Sequence, residues 1–493
     1  MYSWGMDRQR RSVQVSDGRH AGIDLGTTFS AIAIVDDAGA PVAIRNAEDE
    51  MTTPSVVHVR ADGTFLVGRP AQEQPLNTQM VFKRFMGTPR LFPLRGRDYS
   101  PEELSAEVLR KLVGDAERRL GAPIREVVIT VPAHFGQTER EATRRAGELA
   151  GLTVLQMINE PTAAATAYAQ SHPLDQGHSL IFDLGGGTLD ITLLEVTPSG
   201  PYVKRTSGSL HLGGQDFTDK LVERVDNAYQ AAHGVGMTGE ARLRLNAQCE
   251  AAKIALTTAP QVQILASPPD GAPMHMTVTR DEFEEEIDAY IMQMQVMLES
   301  LLDRADLTPS DIKQVLLVGG SSRIPAVRSM LREYFGREPT ATLDADLGVA
   351  WGAALVAASI QRDATGLVME PAGLVIADSV SHAIGVKAFD QFRQRQVLDV
   401  VLPHGFPLGK WSTDRQYRPE RANEALLAVD LYQGDTADLD NCIPVGRVNV
   451  PLPAGATPDN TLVRVRMRLN QSGLLEMQVA VNNEPHRSAE FRL

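Results

Sequence analysis

The sequence predicts a two-lobed α/β domain followed by a β-sandwich. A strand–turn–strand plan built on Asp-Leu-Gly occurs around Asp24 and again around Asp183, and a duplicated unit indicates two similar lobes that face each other across a cleft. Strand and helix patterns alternate between the two copies, which indicates α/β sheets. Repeated short strand patterns with turns at 382–493 predict the sandwich.

Composition indicates a folded, multidomain protein and disfavours some classes of partner. The 493 residues suit about three domains. A formal charge of −14 disfavours general binding to nucleic acid or to an acidic membrane. The two cysteines, Cys249 and Cys442, form no CxxC, so neither a disulfide framework nor a zinc site is expected. We see no membrane span and no secretion signal, and therefore expect a cytoplasmic protein with a disordered N-terminal extension at 1–20.

The stretch Asp183–Asp190 has the features of a phosphate-binding turn. Glycines at 185–187 lie between two strand patterns, and glycine lets the backbone bring its N–H groups close to an anion. The acidic residues at both ends would repel phosphate, so we expect them to hold a divalent cation and its waters. An ordinary glycine-rich hairpin is the alternative. The second copy, Asp24–Thr28, favours two turns that clasp one polyphosphate.

Lys83 and Glu160 are further candidates for the cleft. Lys83 lies in an apolar setting, where a charge is costly unless it faces a cleft or a partner; a surface lysine is the alternative. Glu160 follows a strand pattern at 153–158 and precedes Pro161, which suits the first turn of a helix. Glu160 therefore lies at the carboxyl end of a strand, where α/β sites collect, and is a candidate ligand of a metal-bound water.

Three later segments could contact the same ligand. Gly213–Gly214 opens a helix, and helix N-termini favour anions. Residues 314–328 have the pattern strand, glycine turn, helix, with Arg323 able to stack on a base. Glu250 and Lys253 are three residues apart and so share a helix face. They could contact the ligand, and the alternative is that they form a surface ion pair.

Taken together, these patterns form six motifs in a fixed order: Asp24-Leu-Gly-Thr-Thr, Val131-Pro-Ala, Asn159-Glu-Pro-Thr-Ala-Ala-Ala, Asp183-Leu-Gly-Gly-Gly-Thr, Leu212-Gly-Gly-Gln-Asp-Phe and Val318-Gly-Gly-Ser-Ser-Arg-Ile-Pro. Over about residues 21–360 they closely resemble the ATPase domain of the seventy-kilodalton heat-shock chaperones of the DnaK type. The resemblance implies an actin-like fold with two lobes of duplicated RNase H-like subdomains at 21–365. An interdomain linker at 366–381 and a β-sandwich at 382–493 would follow.

The resemblance also implies cofactors and residue roles. The cofactors are ATP or ADP with Mg²⁺, and K⁺ is a further candidate. The positions implied to cradle the phosphates are Gly26, Thr27, Thr28, Gly185, Gly186, Gly187, Thr188, Gly213 and Gly214, and those on the adenosine side are Glu250, Lys253, Gly319, Gly320, Ser321, Arg323 and Asp346. Asp24 and Asp183 would bind Mg²⁺ through water. Lys83, Glu160, Asp183 and Thr188 would form the catalytic set, in which Lys83 orients the attacking water.

The C-terminal part resembles the same family more weakly. Gly373–Asp378 looks like the family's apolar-acidic linker, and Glu424–Gly434 resembles the strand that lines its peptide groove. On that alignment Val386, Phe389 and Leu427 are candidates for lining the peptide groove. The alternative is that all three side chains belong to the core of the sandwich.

The chain departs from the family pattern in three places. The segment between Gly87 and Pro101 is shorter, and Gln215 stands where a glutamate is usual. The sequence ends at Leu493, about where the sandwich ends, so we expect no helical lid and faster release of bound peptide.

The predicted function is that of an ATP-hydrolysing chaperone whose C-terminal domain binds extended polypeptide under nucleotide control. A J-domain co-chaperone and a nucleotide exchange factor are the implied partners; nucleic acid and membrane are not. The alternative is a nucleotide-dependent scaffold or exchange-type partner that binds one dedicated protein. A sugar kinase is disfavoured because that class needs a catalytic acid over a sugar pocket and has no reason to append a sandwich.

Overall fold

The computed structural model describes residues 20–489 except 75, 173, 199, 269, 270, 342, 343, 345, 361–375 and 391–393. The predicted N-terminal extension at 1–20 lies outside the described residues apart from His20. The predicted linker at 366–381 lies outside them up to residue 375. Within the described part of the chain, no helix is both long enough and apolar enough to cross a membrane.

A mixed sheet forms the centre of the first lobe. The strands described in this lobe are β1 (His20–Asp24), β2 (Phe29–Val35), β3 (Pro41–Ala43), β4 (Thr53–Pro54), β5 (Val57–Val59), β6 (Phe65–Val67), β7 (Thr78–Gln79), β8 (Phe92–Leu94), β9 (Arg97–Tyr99), β10 (Glu126–Val131) and β11 (Thr153–Asn159). The main sheet has the order β3-β2-β1-β10-β11, with β4 paired to β2. β2 runs antiparallel to β1, whereas β10 and β11 run parallel to it.

The helices of the first lobe follow the local start and stop signals. They are α1 (Arg69–Gln72), α2 (Pro101–Leu120), α3 (Gln137–Leu149) and α4 (Glu160–Ser171), together with a 3₁₀ turn at Phe82–Phe85. α2 spans the residues predicted for it. It begins with a reciprocal capping box between Ser100 and Glu103 and ends at Gly121, which has a left-handed φ of 63°.

The second lobe repeats this plan. Its strands are β12 (Gly177–Leu184), β13 (Leu189–Thr197), β14 (Gly200–Ser209), β15 (Gln261–Ala266), β16 (Met274–Thr279), β17 (Ile312–Val318) and β18 (Thr340–Ala341). The main sheet has the order β14-β13-β12-β17-β18. As in the first lobe, an antiparallel hairpin carries the Asp-Leu-Gly turn and parallel strands flank its first arm. The matching strand arrangement is consistent with the internal repeat inferred from the sequence.

Helices α5 (Gly214–His233), α6 (Gly239–Leu256), α7 (Arg280–Asp303), α8 (Pro325–Phe335) and α9 (Gly348–Ser359), with 3₁₀ turns at Pro309–Asp311 and Gly320–Arg323, complete this part of the chain. α4 and α9 share one buried cluster with strands of both sheets, including Val128 and Ile181. Gly352 of α9 needs to be glycine, because a Cβ there would lie 1.8 Å from the carbonyl oxygen of Ala163 on α4. This close helix pair joins the lobes.

The C-terminal strands form two antiparallel sheets. They are β19 (Ile384–Asp390), β20 (Arg395–Leu402), β21 (Arg415–Tyr417), β22 (Leu426–Gln433), β23 (Ile443–Pro451), β24 (Val463–Leu469), β25 (Leu475–Val481) and β26 (Arg487–Ala489), with a 3₁₀ turn at Leu439–Asn441. The sheet orders are β20-β19-β22-β23 and β21-β24-β25-β26. Both sheets contribute to one core, and alternate residues such as Val463, Val465 and Met467 point into it.

This strand domain packs directly on the lobes. The side-chain nitrogen of Gln137 on α3 donates to the Gly473 carbonyl at 2.6 Å, and its oxygen accepts from the Leu475 N–H at 2.7 Å. The backbone N–H of Met157 donates to Ser472 Oγ at 3.1 Å. The loop 470–474 is therefore docked on the first lobe.

Candidate functional site

The two Asp-Leu-Gly turns meet in a cleft between the lobes that holds a cavity of about 370 Å³. The predicted site residues that line it are Asp24, Gly26, Thr27, Thr28, Lys83, Glu160, Asp183, Gly185, Gly186, Gly187, Thr188, Glu250, Lys253, Gly319, Gly320, Ser321, Arg323 and Asp346. Gly213 and Gly214 lie directly behind the glycine turn: a Cβ on Gly213 would lie 2.7 Å from the backbone of Gly187. The structure thus brings together residues that are up to 322 positions apart, from Asp24 to Asp346.

The two turns touch each other across the cleft. A Cβ on Gly186 would lie 1.9 Å from Thr28 Oγ1, and a Cβ on Gly187 would lie 2.4 Å from Thr27 Cγ2. These glycines are needed because the threonines of the first turn occupy the space where a side chain would stand. The resulting surface is formed by backbone and two hydroxyl groups.

The glycine turn presents unpaired N–H groups. The carbonyls of Gly185 and Gly186 accept hydrogen bonds from the N–H groups of Gly214 and Gln215 at 3.0 and 2.7 Å. The N–H groups of residues 186–188 have no acceptor among the described residues. Because the N–H and C=O of a trans peptide point in opposite directions, the N–H groups of residues 186 and 187 face away from the start of α5. Such a group of backbone donors suits an anion.

Buried acids and one lysine lie beside the turns. Lys83 Nζ donates to Glu160 Oε1 at 2.6 Å, and the two side chains are 4% and 11% exposed. Asp24 accepts from Thr130 Oγ1 at 2.9 Å. Burial, together with the negative charges of neighbouring acids, raises the pKa of all three carboxyls. The pKa of Asp24 is raised, that of Asp183 lies well above its ordinary value, and that of Glu160 is about 7. Lys83 acts in the opposite direction and lowers all three pKa values. Because the Lys83 side chain is buried, the surface-lysine alternative does not apply.

This charge balance fits a hydrated cation. Three buried carboxylates face one ammonium group, and an added positive charge would favour their ionised forms. Within the described residues, no three His, Cys, Asp or Glu side chains are arranged to ligate a metal ion directly. Carboxylates can also contact a hydrated cation through its waters.

The predicted adenosine-side residues line the same cavity. Lys253 is buried, and its Nζ donates to Glu250 Oε2 at 2.6 Å and to the Gly214 carbonyl at 2.8 Å. Burial lowers the pKa of Lys253, while Glu250 opposes that change. A surface ion pair is thus the wrong description of this pair. At the rim, Arg323 Nη2 lies 2.8 Å from Asp346 Oδ2.

Some lining residues were not predicted. Ile254 on α6 and Thr257, the residue directly after the end of α6, follow Lys253 by one and four positions and also line the cavity. Their helical spacing from Glu250 and Lys253 was the signal that could have identified them. Asp190, the second acidic residue of the Asp183–Asp190 stretch, was expected to hold a cation, but it is 1% exposed and does not line the cavity. It forms a 2.6 Å pair with His134 Nδ1, a contact between lobes that no local pattern indicates, and its charge raises the pKa of Glu160 and Asp183.

The three groove candidates lie in different environments of the strand domain. Val386 is part of the core, 3% exposed, which matches the alternative given for it. Leu427 is partly buried against the same core. Phe389 is 49% exposed.

Comparisons with known proteins identify the family of this chain. The family model described as Hsp70 protein matches residues 20–92 and 90–490. The chain is 36% identical over 499 residues to the chaperone protein DnaK of Thermus thermophilus, an alignment that covers 92% of this chain and 77% of that protein. It is 41% identical over 349 residues to the chaperone proteins DnaK of Thermotoga petrophila and Thermotoga maritima, covering 68% of this chain and 59% of theirs. The chain therefore belongs to the Hsp70 family of ATP-dependent chaperones.

Proposed function

We propose that the cleft binds MgATP and hydrolyses it, and that the strand domain holds extended polypeptide under the control of the bound nucleotide. One observation carries the proposal: unpaired backbone N–H groups, buried carboxylates and the Lys83–Glu160 pair converge on a single cavity between two lobes. In the proposed domain division, residues 21–365 form an actin-like ATPase domain, 366–381 the linker and 382–493 the polypeptide-binding domain. The matching strand orders of the two main sheets support the duplicated RNase H-like subdomains.

The phosphates would lie on the two turns. Residues 26–28 and 185–188 supply backbone and hydroxyl donors, and Gly213 and Gly214 support the glycine turn from behind. A bound Mg²⁺ would neutralise charge on the phosphates, and Asp24 and Asp183 would hold it through water. K⁺ is a further candidate for this acidic environment.

Lys83, Glu160 and Thr188 would orient the attacking water. Lys83 cannot rotate freely, because Glu160 holds its ammonium group at 2.6 Å inside the cleft. When the water attacks the γ-phosphorus, the bond to the β-phosphate oxygen breaks and ADP leaves with that electron pair. Positioning and charge neutralisation are what this reaction requires.

The adenosine would occupy the other end. Glu250 and Lys253 form the buried wall, Gly319, Gly320 and Ser321 bring backbone close to the ligand, and Arg323 with Asp346 closes the rim. Arg323 is half-exposed, so its planar guanidinium is free to stack on a base.

In the strand domain, Phe389 and Leu427 are the groove candidates whose side chains remain at least partly accessible, whereas Val386 is buried in the core. Extended polypeptide would be held by strand-like backbone pairing and apolar contacts. A J-domain co-chaperone and a nucleotide exchange factor are the proposed protein partners, and the cytoplasm is the proposed location. Nothing in the comparisons favours the dedicated scaffold alternative.

ATP turnover with and without a panel of unrelated, leucine-rich heptapeptides tests this function. We expect slow basal hydrolysis that most of the peptides stimulate, and loss of the stimulation in Leu427→Asp with basal turnover retained. Absence of ATP hydrolysis would contradict the ATPase site. Hydrolysis that no peptide alters, together with pull-down of one folded partner, would favour the scaffold.

A further inference from the structure

Arg84 reaches across the cleft to both phosphate turns of the second lobe. It belongs to the 3₁₀ turn Phe82–Phe85 of the first lobe. Its Nε donates to the Gly187 carbonyl at 2.9 Å, and its Nη1 and Nη2 donate to the two carboxylate oxygens of Asp216 at 3.1 and 2.5 Å. The side chain is 10% exposed and that of Asp216 is 16% exposed. A bidentate, largely buried ion pair of this kind fixes the relative orientation of the two side chains and also balances their charges.

The contact with Gly187 completes the support of the glycine turn. The carbonyls of Gly185 and Gly186 are held by the start of α5, whereas the third carbonyl, that of Gly187, is held by Arg84 from the opposite lobe. Three consecutive glycines leave the backbone many conformations. Fixing the Gly187 carbonyl also fixes the Thr188 N–H of the same peptide plane.

The contact with Asp216 balances a charge that would oppose a phosphate. Asp216 is in the first turn of α5, and its Oδ2 also accepts from the Gly213 N–H at 2.8 Å. A helix N-terminus favours anions, so an unpaired carboxylate there would compete with the ligand for the same donors. Arg84 offsets that negative charge while Asp216 holds the second glycine turn.

We propose that Arg84 is a positioning residue for the polyphosphate: it holds the glycine turn in its donor conformation, offsets Asp216 and joins the two lobes. The proposal rests on the proposed binding of MgATP in this cleft. It assigns to Arg84 a part in binding phosphates, distinct from the orientation of water assigned to Lys83.

The test uses isothermal titration calorimetry on the full chain to compare the affinities of ligands with and without phosphates. In Arg84→Gln we expect the affinities for MgADP and MgATP to fall about tenfold or more, while the affinity for adenosine stays unchanged. Single-turnover hydrolysis at saturating ATP should change much less. Arg84→Lys, which keeps a charge near Asp216 but has no fork, should give an intermediate loss. A merely structural defect would weaken adenosine binding as well.

Arg224→Gln is the matched control. Its guanidinium also contacts two carboxylates, those of Glu282 and Glu286 at 2.6 and 2.8 Å, but entirely within the second lobe and away from the cleft. Wild-type MgADP affinity in Arg84→Gln, or an equal loss for adenosine, would overturn the role of Arg84 and leave the ATPase site standing. If Arg84→Gln does not fold, wild-type affinities in Arg84→Lys would overturn it. A wild-type protein that binds adenosine and MgADP equally weakly would overturn both proposals.

Discussion

Glu160→Gln should reduce the pH dependence of the stability of the nucleotide-free lobes. Burial raises the pKa of Glu160 from 4.5 to about 7, although Lys83 opposes that rise. The folded state therefore retains a proton that the unfolded chain has already released, so stability falls as pH increases from about 4.5 through about 7. A shift of this size corresponds to about 3 kcal/mol, of which about 2 kcal/mol should be lost between pH 5 and pH 8. Glutamine has no such proton and removes this loss.

Urea unfolding at pH 5, 6, 7 and 8 without nucleotide measures the effect. The transition that belongs to the lobes is identified as the one that MgADP shifts to higher urea. Glu223→Gln is a suitable control, because Glu223 is exposed and pairs with Lys220 at 3.0 Å on the surface of α5. If wild type and Glu160→Gln lose the same stability between pH 5 and pH 8, the buried-acid account of the cleft is wrong.

Two further predictions concern the contact between the domains. Gln137→Ala removes two buried hydrogen bonds to the strand domain, one to Gly473 and one to Leu475, each worth about 1 kcal/mol. The change should shift the protein towards an undocked form, which small-angle X-ray scattering detects as a larger radius of gyration. A radius of gyration equal to that of the exposed control Gln263→Ala would contradict the docking role. Ile376 is 2% exposed in a core shared by both lobes, so Ile376→Asp would bury a carboxylate there. This change should abolish any difference between ATP and ADP in how a protease cleaves the 360–385 segment. If that difference survives in Ile376→Asp as it should in the exposed control Leu149→Asp, the linker does not couple the domains in this way.

The residues of the cleft could be predicted where the signal was local. Asp24–Thr28 and Asp183–Thr188 each contain a complete turn within a few positions, and the spacing of Glu250 and Lys253 defined a helix face. Each such pattern constrains the backbone around it, so neighbouring residues in sequence remain neighbours in the site.

Contacts between distant segments could not be predicted from single motifs. Arg84 and Asp216 are 132 positions apart and meet because the lobes approach each other. His134 and Asp190 are likewise distant in sequence, as are Gln137 and the loop 470–474 of the strand domain. Their partners depend on how packed elements are arranged in space, and nothing in the local sequence around Gln137 indicates a strand domain beside it.

The strand domain shows a third limit. Alternation predicted the strands, but the alignment assigned to one groove two residues that lie an odd number of positions apart on one strand, and such residues point to opposite faces. Val386 therefore lies in the core and Phe389, three positions later, is exposed, although both were groove candidates.

Single-turnover hydrolysis by Lys83→Ala tests the central claim most directly. Lys111→Ala is the control, since Lys111 also binds carboxylates, those of Glu48 and Asp115 at 2.7 and 2.8 Å, but lies away from the cleft. The account predicts that Lys83→Ala binds MgATP within about threefold of wild type and hydrolyses it at least about a hundredfold more slowly, because the change removes water positioning rather than contacts to the bound nucleotide. Hydrolysis at the wild-type rate in Lys83→Ala would contradict the assignment of this cleft as the site of ATP hydrolysis.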